Sequence, residues 1–166
     1  MAMILLTRVL LLLVFSLFWG GLTFYTGFVV RISHDVLADP MDGGLITQRV
    51  TSLLQLLGVA MVALMLLNAV VVVRQAGRLG YSLLICTGLL TTALIGLFIV
   101  HGQLDQVIDV ASSEIIDRDA FTVGHRRYNQ LTTIEWLSSL AYLLLTIVAW
   151  RSVDSSSRLQ SENSAT

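Results

Sequence analysis

Lysine is absent from this chain, so every basic side chain is an Arg. The Arg residues are scattered rather than clustered, and nucleic acid is excluded as an expected partner because no basic patch forms. There is one Cys, Cys86, in the middle of an apolar stretch. A lone thiol there builds neither an intramolecular disulfide nor a Cys-based metal site. The single Pro, Pro40, sits in an acidic loop. Charged residues make up only 13% of the chain against 55% hydrophobic ones, far from the balance of an ordinary soluble domain. The formal net charge of -1 removes steering by bulk charge as a theme. There is also no phosphate loop, no nucleophile-base constellation and no soluble catalytic portion, so an enzyme is not expected.

What is present is a set of long uncharged runs, at residues 9–30, 50–73, 79–100 and 136–150. Each of the first three exceeds the ~20 residues needed to cross the hydrocarbon core of a bilayer. The fourth becomes long enough if its helix begins near Tyr128 and carries Glu135 into the membrane. The expected fold is therefore all-α: a polytopic membrane protein with an antiparallel bundle of four transmembrane helices at about 4–32, 46–75, 79–110 and 119–151. These make one domain over residues 1–152, and the Ser-rich, polar residues 153–166 read as a short disordered tail. The first run follows Arg8 as a signal peptide would, but it continues to Arg31 without a small-x-small cleavage pattern, which makes it a retained helix.

With four spans both termini share a side. Arg8, Arg74, Arg78, Arg151 and Arg158 lie there; Arg31, Arg49, Arg118, Arg126 and Arg127 lie opposite. The two sets tie in number, but Arg74, Arg78 and Arg151 sit tight against span ends. That places both termini in the cytoplasm for a protein of the cytoplasmic or inner membrane.

The helices carry legible faces. Ser16, Gly20, Thr23 and Gly27 form a small-residue stripe on the first, leading toward Arg31 and His34, and Gly88, Thr92 and Gly96 form another on the third. Such stripes allow a neighbouring backbone to approach closely. On the fourth, Tyr128, Thr132, Glu135, Ser139, Tyr142 and Thr146 fall on one line at helical periodicity and must face protein rather than lipid. Asp117 or Asp119 can cap this helix. Gln48, Ser52 and Gln55 share a face of the second helix. Aligning residues 28–31 with 98–101, and Ser52 and Gln55 with Thr132 and Glu135, superposes two helical hairpins as a parallel duplication that would set Gln55 and Glu135 at similar depth. Between the third and fourth spans, Leu104, Val107, Ile108, Ala111 and Ile115 recur at helical spacing, which fits an amphipathic extension of the third helix or a segment lying in the interface.

Chemistry-bearing residues are few. His34, His101 and His125 all fall on the side away from the termini, with Asp35 and Asp105 nearby in sequence. Three imidazoles from different helices could hold copper, zinc or haem iron. The same residues serve equally as interfacial groups that bond lipid headgroups. Glu135 lies about 10 Å along its helix from Tyr128, inside the outer third of a bilayer. An ionisable group at that depth is costly and marks function by default. Its bundle-fastening alternatives are a salt bridge to Arg31 or a bond to Gln55. No second intramembrane charge accompanies it, as a proton relay would require.

At Trp19-Gly20-Gly21 with Phe24 and Phe28, and at Phe121-x-x-x-His125-x-x-Tyr128-Asn129, the chain resembles a bacterial four-helix integral membrane family of unknown function, grouped with copper-resistance D-like membrane proteins. The resemblance covers most of residues 4–151 and departs from the family's frequent Pro after the first span in that the only Pro, Pro40, lies in an acidic loop. It implies a four-helix inner-membrane protein and metal handling. Two expectations for function follow: a site for a metal ion or small ligand at the outer end of the bundle, or a non-catalytic accessory subunit that packs against other membrane proteins or a second copy of itself within the lipid bilayer.

Overall fold

Helix follows helix with almost no connecting chain. The computed structural model describes residues 2–109 and 114–163, with the side chains of residues 2, 3, 40, 41 and 157–163 left aside. The first rod is α1 (Ala2–Phe24), a π-helical turn (Tyr25–Val29) and α2 (Val30–Val36); then come α3 (Pro40–Ala76), α4 (Arg78–Gln106), a two-residue antiparallel pair of β1 (Ile108–Asp109) with β2 (Glu114–Ile115), and α5 (Arg118–Asn163). Four of these rods are long and apolar enough to cross a membrane. Their outward faces carry exposed Leu, Ile, Val and Phe side chains, Leu17, Leu53, Ile85 and Leu144 among them, an apolar exterior that suits lipid rather than water.

Local chemistry explains the joints. Pro40 occupies the first helical position of α3, where a missing N–H costs nothing. The α3–α4 hairpin turns on Gly77 alone, at φ 39°, a conformation that side chains rarely adopt. Gly80 completes it, since a Cβ there would stand 2.3 Å from the Val73 backbone nitrogen. Asp117 caps α5, its Oδ1 accepting from the amides of Asp119 at 3.1 Å and Ala120 at 2.9 Å. In the first rod, the Thr23 and Thr26 hydroxyls donate back to the carbonyls of Trp19 and Leu22 just where the π turn begins. Such back-bonding loosens the regular ladder and bends helices.

Two expectations on helix extent are corrected. α4 stops at Gln106 instead of continuing amphipathically to Ile115, because the Val107 amide turns back to Leu104 and Ile108 pairs with Ile115; Ala111 of that expectation lies outside the described residues. The tail expected to be disordered is helical to Asn163. No Gly or Pro interrupts residues 152–163, and Arg8 grips Asp154 with two bonds of 2.9 Å while its guanidinium lies over the Trp150 ring. Residues 164–166 lie outside the described residues.

α1 packs on α3, α3 on α4 and α4 on α5, while α1 and α5 touch sparsely. Leu11, Phe15, Phe18 and Leu22 of α1 meet Met61, Met65, Ala69 and Val72 of α3, with Leu83 and Leu90 of α4 and Tyr142 and Ala149 of α5 completing the core. Across the loose α1–α5 seam, indoles span the gap: Trp19 stacks on Trp136 at 5.2 Å, and Trp136 Nε1 donates to Thr23 Oγ1 at 2.8 Å. Above this bridge lies a cleft of about 370 Å³ between Leu22, Thr23, Thr26 and Gly27 on one wall and Asn129, Thr132, Thr133 and Trp136 on the other.

The small-residue stripes make only part of the internal contacts expected of them: Gly96 packs against Leu131 and Thr23 accepts a bond from Trp136. Ser16, Gly20, Gly27, Gly88 and Thr92 are exposed, and a Cβ on Gly20, Gly27 or Gly88 would meet nothing within 4 Å. Off the stripes, close approach is made at Gly58, between Phe18 and Leu94, and at Gly21, against Leu54. Large core side chains choose the packing faces, because they bury the most surface, and small ones are left outside.

Candidate functional site

The line of polar residues on α5 points inward as its periodicity requires. Glu135, Ser139, Tyr142 and Thr146 are buried and Tyr128 and Thr132 half-buried. The stripe divides into two parts with different partners.

Toward the termini, three side chains close on one another, while Thr146 Oγ1 has no hydrogen-bond partner. The Tyr142 hydroxyl donates to the Met65 carbonyl at 2.7 Å and accepts from Asn68 Nδ2 at 2.9 Å; Asn68 Oδ1 accepts from Trp150 Nε1 at 2.8 Å. Arg8 and Asp154 extend this chain of contacts to the surface.

Toward the loops, Tyr128, half-buried, lies among Thr51, Gln55, Glu135 and Tyr25. Tyr25, 6% exposed, reaches this region from the π turn. Glu135 is 2% exposed and Gln55 4%, yet Glu135 Oε1 and Gln55 Nε2 have no hydrogen-bond partner. Both Gln55 and Glu135 belong to the group of side chains around Tyr128. The two hairpins are packed unequally, with α3 close against α4 and α1 held off from α5. The expected Glu135–Arg31 salt bridge is not formed: Arg31 is exposed on α2, and among the described residues no cation stands within salt-bridge distance of Glu135.

His101 forms the upper edge of the same region. Its Nε2 is 3.4 Å from Ser52 Oγ and 3.7 Å from Asp105 Oδ2, its ring lies 6.3 Å from that of Tyr128, and Gln48 Nε2 donates to Asp105 Oδ1 at 2.6 Å.

The other two histidines are elsewhere, which corrects the expected metal site. His34 is exposed in the last turn of α2, and His125 is exposed on α5, stacked on Phe121 at 5.9 Å. Among the described residues no three His, Cys, Asp or Glu side chains gather as metal ligands. The reason is rotational: His125 stands on the outer face of α5 while Tyr128, three residues on, turns inward. The furrow beside His125 is lined by α5 residues alone and is a helix surface rather than a cavity.

Sequence reasoning passed over Thr51, Tyr25 and Asn68. Asn68 had a signal, being with Gln55 one of two side-chain amides in the apolar run 50–73. Tyr25 had none, since a π turn sets its direction. Neither a protein-family model, nor a curated protein, nor a solved structure matches the chain.

Proposed function

We propose that this chain is a non-enzymatic, multi-pass protein of a bacterial inner membrane, with both termini cytoplasmic, that binds a small ligand in the half of the bundle nearer the loops. The observation that carries this reading is the pair of orphaned atoms, Glu135 Oε1 and Gln55 Nε2, on side chains that are almost fully buried. Buried polar atoms are nearly always satisfied in native proteins, and a carboxyl at membrane depth needs a cation or a proton as its counterpart. One missing acceptor bond and one missing donor bond, on side chains that both lie around Tyr128, fit a small molecule bearing both an ammonium-type donor and an acceptor oxygen. The Cβ-free Gly27 and the Thr-lined cleft between α1 and α5 leave room beside the site. No side chain in the cluster is an activated nucleophile, which supports a binding rather than a catalytic role.

The test is thermal unfolding of the purified full chain in detergent against a panel of small amines and amino alcohols. A member of the panel should raise the melting temperature of the wild type and leave Glu135→Gln and Gln55→Leu unmoved. Failure of every compound, or shifts that persist in Glu135→Gln, would sink the reading.

A second reading, an accessory subunit, is favoured by the exposed glycines of α1 and α4, whose bare faces suit a partner helix from another membrane protein or a second copy. Gly20→Leu with Gly88→Leu should then abolish co-purification of the partner or self-association, with the melting temperature unchanged. Loss of fold, or an unaltered assembly state, would count against it.

A further inference from the structure

One face of α5 changes character along its length. Near the loops, the furrow beside His125 is lined by Arg126, Asn129, Gln130 and Thr133. Asn129 and Thr133 also line the cleft between α1 and α5, so the furrow leads into that cleft and toward Trp136. At the upper end the donors are free. Arg126 is exposed and, among the described residues, pairs with no carboxylate. The Asn129 and Gln130 side chains are exposed beside it. Below Asn129 the donors are used up: the hydroxyls of Thr23, Thr26, Thr132 and Thr133 donate at 2.7 to 3.0 Å to carbonyls one turn back on their own helices. The Trp136 indole N–H goes to Thr23, and Leu22 and Gly27 add only apolar surface.

A positive charge with free amides at one end and a donor-free, apolar cleft at the other match the polarity of a phospholipid. The depths match as well. Arg126 lies two residues before Tyr128, where the fourth apolar stretch begins, at the level of the lipid phosphates on the loop side. From Arg126 to Trp136 the helix rises about 15 Å, half of the ~30 Å hydrocarbon core, which brings the cleft level with the acyl chains. A guanidinium binds a phosphate through two parallel N–H bonds. A partner helix would have to carry an anion to that depth, whereas the phosphate layer already holds one.

We propose that one phospholipid of the leaflet on the loop side docks along this furrow, with its phosphate on Arg126, its ester region beside Asn129 and an acyl chain in the cleft against Gly27 and Trp136. The lipid holds the loose α1–α5 seam from outside. Gln55 and Glu135 do not line the cleft, so this is a second site. It rests on the membrane part of the reading above and is independent of the ligand at Glu135.

The experiment is native mass spectrometry of the full chain, purified in detergent and titrated with phosphatidylglycerol. The wild type should retain one phospholipid after loosely held lipid is stripped. Arg126→Gln removes the charge-assisted bonds, and Gly27→Leu fills the cleft, where a Cβ meets nothing within 4 Å. Each should weaken retention at least about tenfold. Arg127→Gln, at a neighbouring position that lines neither furrow nor cleft, and Glu135→Gln should hold the lipid as the wild type does. Arg126 is exposed, so its variant carries the test if Gly27→Leu does not fold. Unchanged retention in Arg126→Gln, an equal loss in Arg127→Gln, or a second copy of the chain retained in place of lipid would overturn the proposal. A chain that needs detergent yet retains no phospholipid would defeat the lipid site and spare the membrane reading; a chain that stays soluble without detergent would defeat both.

Discussion

The two halves of this bundle's polar core use the same kinds of side chain to opposite ends. Nearer the termini, Asn68, Tyr142 and Trp150 satisfy one another and the Met65 carbonyl, so the group locks α3 to α5. Nearer the loops, Gln55 and Glu135 are buried just as thoroughly and are left with open valences. A closed hydrogen-bond network stabilises, because every group has recovered what it lost on leaving water. An open one costs stability and is retained where something else uses it. The contrast separates fastener from candidate site in a helix whose polar stripe looks uniform in sequence.

The contrast breaks if the fastener carries no energy. Asn68→Ala removes two buried interhelical bonds and should lower unfolding free energy by roughly 2 kcal/mol, measured by denaturant or thermal unfolding in detergent micelles. No loss there would erase the distinction. Trp136→Phe keeps the stack on Trp19 but deletes the bond to Thr23 across the seam, for an expected cost of about 1 kcal/mol. It should also speed thiol labelling of a Thr26→Cys variant in the adjoining cleft, and an unchanged labelling rate would show that the indole does not hold the seam. Asp154→Asn at the half-exposed end of the network should cost only about 0.5 kcal/mol. That loss should shrink in high salt, and one insensitive to salt would place the Arg8 contribution in its stacking on Trp150. Smallest of all, Glu135→Gln should alter stability by less than about 0.5 kcal/mol in either direction, since an unpaired buried carboxyl fastens nothing. A large destabilisation would move Glu135 into the fastening class.

How legible the site was depended on which side chains could be read alone. Glu135 declared itself as an acid inside an apolar run, and the four- and three-residue spacing of Tyr128, Thr132, Ser139 and Tyr142 fixed the face on which it lies. The histidines misled because sharing one end of a bundle is not sharing a face: His101 turns toward Tyr128 while His34 and His125 stay exposed. The glycine stripes misled for a related reason, as small size permits close approach without compelling it.

The sequence by itself determined four apolar rods and the inward polar line of α5, and narrowed its cap to Asp117 or Asp119. Hydrophobic length, helical period and capping act within one or a few turns of chain, where the side chains carry all the information. Only the tertiary structure decided that α1 stands off from α5 and that a π turn aims Tyr25 inward. It alone also decided that the polar line splits between a satisfied end at Asn68 and an open end at Glu135. Those outcomes depend on which faces of separate helices meet, and a shift of one residue in rotation or register, invisible to any local pattern, reassigns every partner.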